Sequence, residues 1–154
     1  MAPCLQLRYP RSYGGESTSC YQAIVNADNA KDMIIDFHTH IFPPSISDNR
    51  HDLLQRDETL AAMYSDTKSR MASAEELVAT MDGSSIDISV ALGIGWNDPD
   101  LCRQANDYMI ASVRKFPMRL RGFCSVNPLW GRAAIDEVER CVEAGLMGIG
   151  ELHP

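Results

Sequence analysis

The feature that most constrains this chain is an alternation. From residue 33 onward, short β-branched runs take turns with longer amphipathic ones. Residues 33–37 (MIIDF) form an apolar run of strand length, followed by a polar, Pro-bearing stretch over 41–70. That stretch reads as one long loop, and loops of such size inside a compact domain are usually functional. Ser73 then opens a helix, with Glu76 three positions on as its capping-box partner. Ala74, Leu77, Val78 and Met81 recur at helical spacing as its buried stripe. Residues 86–94 are a second strand, and Asp98-Pro99 starts a second helix with an N-cap followed by Pro at the first helical position. Cys102, Ala105, Met109, Val113 and Phe116 line that helix, and Pro117 stops it. A third strand (119–126), a third helix (131–144) and a fourth strand (147–152) complete the series. The third helix is expected to turn Ile135, Val138 and Val142 inward and to end at Gly145.

The order βαβαβαβ, with crossovers this long, predicts parallel strand pairing. Two architectures use that unit, the open doubly wound sheet and the (β/α)8 barrel. A dinucleotide-binding sheet wants a Gly-rich loop after its first strand, and this chain reads His-Thr-His-Ile-Phe-Pro-Pro there. A full barrel takes roughly 200–250 residues or more. Residues 33–154 therefore read as an α/β domain, the first half of a TIM-type (β/α)8 barrel. Residues 1–32 contain two Pro, a Gly-Gly pair and scattered Ser without sustained periodicity. They are expected to be a disordered or spurious N-terminal extension, with Met33 an equally good start.

Composition narrows the function classes. Fourteen Lys and Arg stand against twenty-one Asp and Glu, a formal charge of −7, which falls wholly on residues 33–154. Nucleic acid and anionic membrane surfaces call for a basic face, so neither is an expected partner. No run approaches the roughly 18 apolar residues of a membrane span, and no secretory signal core is present. Five cysteines (Cys4, Cys20, Cys102, Cys124 and Cys141), widely spaced and without a C-x-x-C pair, read as reduced thiols of a cytoplasmic protein.

The chemistry concentrates in Asp36-Phe37-His38-Thr39-His40. Residues i and i+2 of a strand share a face, so His38 and His40 project together from its C-terminal end. Such a pair suits a divalent ion, although an isolated H-x-H also occurs among satisfied core histidines. Glu151 and His153 share a face at the end of the fourth strand, where a rim salt bridge and a capping contact are the simpler readings. Trp96, Asn97 and Asn127 lie just past strand ends, within reach of a substrate or as ordinary polar loop residues. His51, in the long polar stretch, reads as solvated.

Three segments, IIDFHTHIFPP, GFCSVNP and GIGELHP, together resemble the amidohydrolase superfamily, in its amidohydrolase-related branch of hydrolases and aromatic-acid decarboxylases. The resemblance implies a metal-dependent barrel with His38, His40 and Glu151 as ligands to a divalent metal, zinc being the expected ion. It also implies a small-molecule substrate, with His153, Asn127 and Trp96 as candidate contacts. The implied activity is hydrolysis through a metal-activated water; the alternatives are a non-oxidative decarboxylase on the same barrel and an inactive fragment or interaction protein. A related H-x-H phosphoesterase type places Ser-Asp-Gly close behind its histidines, whereas here Ser47-Asp48-Asn49 comes late and lacks the Gly. The later family ligands and the general base have no counterpart before Pro154. The 154-residue chain alone is therefore expected to be inactive and, with two open sheet edges, to self-associate.

Overall fold

A computed structural model describes residues 32–152. Residues 1–31 and 153–154 lie outside the described part, and with them the expected N-terminal extension, Cys4, Cys20 and His153. Four strands, β1 (Ile35–Thr39), β2 (Ile88–Leu92), β3 (Leu120–Cys124) and β4 (Gly148–Ile149), form one sheet in the order β1-β2-β3-β4, every pair parallel. The crossovers run through α4 (Ala74–Ser84), α5 (Pro99–Lys115) and α6 (Arg132–Glu143). A doubly wound sheet reverses its strand order part-way and covers both faces. Here the order is strictly sequential, and Ala74 and Met81, Met109 and Ile110, and Cys141 of the three helices share one core with Ala91, Leu120 and Cys124 of the sheet. That arrangement is the wall of a barrel.

The helix starts follow their cap chemistry. Ser73 accepts from the Glu76 amide and Glu76 answers the Ser73 amide, a complete capping box, while Asp98 accepts from the amides of Asp100 and Leu101. Gly145 takes φ +107 after α6, a conformation that L side chains rarely adopt.

Two expectations need correction. The stretch 41–70 is not one loop: it folds into α1 (Pro44–Ser47), α2 (Arg50–Leu53) and α3 (Glu58–Tyr64). These short helices survive because Ile46, Leu60 and Tyr64 bury against Phe42, Ile94, Trp96 and Leu101 in a second core beyond the strand ends. Arg50 ties the segment together by donating to the carbonyls of Tyr64, Asp66 and Ser69. Secondly, Ile135 and Val142 do not point inward: they are 51% and 53% exposed, and the buried stripe of α6 is Ala134, Glu137 and Cys141. A carboxylate can occupy that stripe because Arg140 and Asn106 both donate to it, at 2.6 and 2.9 Å. Strand ends also shift, with Met33 and Ile34 lying before β1.

The polar clamp around Asn106 shapes the rim. Its amide donates to Glu137 and to the Ser125 carbonyl, its oxygen accepts from the Ser125 amide, and the Ser125 hydroxyl donates to the Ile94 carbonyl. The ends of β2 and β3 are thereby locked to α5 and α6.

Candidate metal centre

His38 lies within β1 and His40 one residue past its end. In a regular strand, residues i and i+2 are about 6.7 Å apart. Here the pairing with β2 slips, from Asp36↔Ser89 to Thr39↔Ala91, so that three residue steps on β1 span two on β2. This bulge lets the imidazoles lean together, with ring centroids 5.1 Å apart at 73° and the two Nε2 atoms at 3.2 Å. The Thr39 hydroxyl donates to the Val90 carbonyl at 3.0 Å, and Asp36 Oδ1 accepts from the His38 amide at 3.3 Å.

Glu151 arrives from just beyond β4. Its amide donates to the Gly93 carbonyl at 2.6 Å, which anchors it at the end of β2. Gly93 is needed there, since a Cβ would stand 2.6 Å from Ser125 Oγ. The Glu151 carboxylate then reaches His38 Nε2 at 3.0 Å and His40 Nε2 at 3.8 Å. The structure thus brings His38, His40 and Glu151 together at one rim, with their ligand atoms within 4.8 Å of one another.

The donor set fits a divalent cation. His40 Nδ1 sits 3.0 Å from the Leu92 carbonyl, which only accepts, so Nδ1 carries the proton and Nε2 offers its lone pair. Ligands about 2.0–2.2 Å from a tetrahedral ion are about 3.3–3.6 Å apart, and the observed 3.0–3.8 Å separations bracket that spacing.

The other sequence candidates have surroundings of their own. Trp96 is 1% exposed, packed at 6.4 and 6.5 Å from the rings of Phe42 and Tyr64, and its indole N–H has no acceptor among the described residues. Asn127 is buried; it donates to Asn97 and caps the turn Pro128–Trp130 through the Leu129 amide. Asn97 and His51 are exposed. Tyr64 was invisible to sequence reasoning, because nothing local connects it to residues nearly ninety positions away. Burial, and after it the Glu151 carboxylate, hold its phenol above the ordinary value, with Arg50 pulling the other way.

The amidohydrolase family model matches residues 35–154. The chain belongs to the amidohydrolase family. No curated protein matches it. Among solved structures, the 5-carboxyvanillate decarboxylase of Novosphingobium aromaticivorans, crystallised with manganese, is similar over 76% of this chain and 41% of its own, at 22% identity and TM-score 0.61. The corresponding enzyme of Sphingomonas paucimobilis is 18% identical over 76% of this chain and 42% of its own, with TM-score 0.57. A 2,6-dihydroxybenzoate decarboxylase crystallised with 2,6-dihydroxybenzoate is 20% identical over 77% and 39%, with TM-score 0.50. This amidohydrolase chain therefore spans about two fifths of the length of those enzymes and shares their fold as part of a TIM-type barrel.

Proposed function

We propose that this chain carries part of the metal centre of a metal-dependent hydrolase acting on a small molecule. The observation that carries the reading is the convergence of His38 Nε2, His40 Nε2 and a Glu151 oxygen at the strand ends. Zinc is the ion proposed, as three N and O ligands with an open position suit it, and manganese is the competitor. When bound, the ion supplies an acidified water and polarises a carbonyl oxygen. The chain's own part is to hold two imidazoles and a carboxylate in place. The Leu92 carbonyl fixes the His40 tautomer, and the Gly93 carbonyl fixes the Glu151 backbone. Candidate substrate contacts remain Trp96, Asn127 and His153, Trp96 through its unpartnered indole N–H.

Non-oxidative decarboxylation is the second reading. It is favoured by the decarboxylase names of the structures similar in fold, which share the same barrel with this chain at 18–22% identity. Both readings need the metal, so metal content is the first experiment. Purified protein loaded with Zn²⁺ or Mn²⁺ and desalted is expected to retain one ion per chain by mass spectrometry. The His38→Ala/His40→Ala variant is expected to retain none, and stoichiometric metal in that variant would end the reading. With a centre established, product analysis on carboxylated phenols against amides and lactones separates lyase from hydrolase.

A further inference from the structure

We infer that Asp36 is a positioning residue for the metal centre, acting through the backbone of His38; the inference rests on the metal reading proposed above. The two histidines are held by different devices. The His40 ring is held directly, by the Leu92 carbonyl on Nδ1. The His38 ring is 57% exposed, and among the described residues its Nδ1 has no partner. Where that ring points is therefore set by where the backbone of β1 places it.

The backbone is displaced at that position. The one-residue slip between Asp36 and Thr39 takes the intervening residues out of regular pairing with β2. A bulge leaves amides without their ladder partner, and such bulges re-aim side chains beside functional sites. Asp36 Oδ1 accepts the His38 N–H at 3.3 Å, the i to i+2 pattern that short Asx side chains favour. The carboxylate so supports the local geometry that brings His38 Nε2 within 3.2 Å of His40 Nε2 and 3.0 Å of Glu151. Among the described residues Asp36 has no hydrogen bond to either imidazole ring, and its own carboxylate is outside the converging ligand set.

The test is Zn²⁺ affinity, measured by competition with a chromophoric chelator, for the full chain and three variants. Asp36→Asn keeps a short acceptor oxygen and should bind within about twofold of the parent. Asp36→Ala removes the acceptor and should bind about 10–100-fold more weakly, the usual effect of losing an outer partner of a ligand. Asp36→Glu keeps the charge but moves the acceptor by one methylene, and should also lose affinity. It serves in place of Asp36→Ala if that variant does not fold. Co²⁺ absorption bands reporting the ligand field should shift in Asp36→Ala and not in Asp36→Asn, while metal-free melting temperatures of folded variants stay together. Equal affinity across all variants overturns the inference and leaves the metal centre standing. Weakening in both Asp36→Ala and Asp36→Asn, with Asp36→Glu unaffected, assigns the effect to charge and overturns it as well. A parent chain that binds no Zn²⁺ overturns the metal reading, and this inference with it.

Discussion

A backbone carbonyl decides how His40 presents itself. Because Leu92 O accepts only, it sorts the two ring nitrogens without any charged partner, and the outward nitrogen is left as a base. Glu151 is treated likewise, held by its amide at Gly93 while its carboxylate reaches both imidazoles. Both anchors lie at the end of β2, so small errors there reach the centre. Gly93→Ala places a methyl against Ser125, and we expect it to cost about 1–3 kcal/mol in chemical denaturation and to weaken metal retention. Tyr64 reports on the same neighbourhood. Its phenol is held up by burial and then by the Glu151 charge, so it should ionise above the ordinary tyrosine value of about 10. Glu151→Gln should lower that value. Ultraviolet difference titration against Tyr64→Phe isolates the group, and an unmoved Tyr64 transition in Glu151→Gln would place the carboxylate out of range.

Among the elements, α6 shows how polarity can sit where apolar residues were expected. Glu137 faces the sheet, and burial by itself would raise its pKa. The bonds from Arg140 and Asn106, with the Arg140 charge, outweigh burial and hold the carboxyl below the usual range. A depressed folded pKa means stability that is present above the unfolded value, about 4.3, and is lost as pH falls through the folded one. Melting temperature should therefore drop on acidification below about pH 5, and the Glu137→Gln variant should show a shallower fall. At pH 7 the same variant should be less stable by about 2 kcal/mol, because Arg140 and Asn106 lose a charged acceptor. The helix starts behave more simply: Ser73→Ala removes half a capping box and should cost about 1 kcal/mol.

At the scale of the whole molecule, the described sheet has two unpaired edges, at β1 and β4. Both ends carry exposed apolar side chains: Ile35 and Phe37 on β1, and Ile149, Leu152 and Ile135 beside β4. Next to α6, Ile135, Ile149 and Leu152 border an open apolar groove of about 420 Å³ with Val126 and Val138. Patches of that kind are association sites in water, and unpaired edges add backbone donors and acceptors. The 154-residue chain is expected to associate in a concentration-dependent way in light scattering. Ile135→Lys with Val142→Lys should reduce that association at little cost in melting temperature, since both side chains are already exposed. A monodisperse monomer at tens of micromolar would contradict the expectation. Among the described residues no helix is long and apolar enough to cross a membrane.

What the sequence determined by itself is what neighbours along the chain decide. Strand and helix periods, the Ser73 and Asp98 caps, the Gly145 stop and the shared face of His38 and His40 all depend on residues within a turn or two. The alternation of those elements carried the parallel α/β class, and the family resemblance marked Glu151. Tertiary structure alone decided the rest. The helices at 44–64 exist because Phe42, Trp96 and Leu101, far away in sequence, offer them a core. Which face of α6 meets the sheet turned on Arg140 and Asn106 donating to Glu137, which no hydrophobic pattern reveals. The approach of His38, His40 and Glu151 to within 4.8 Å depended on a register slip in β1 and on an amide anchored across the sheet at Gly93. Periodicity is a local property; the distance between residues more than a hundred positions apart is set by how strands pair and which side chains neutralise one another.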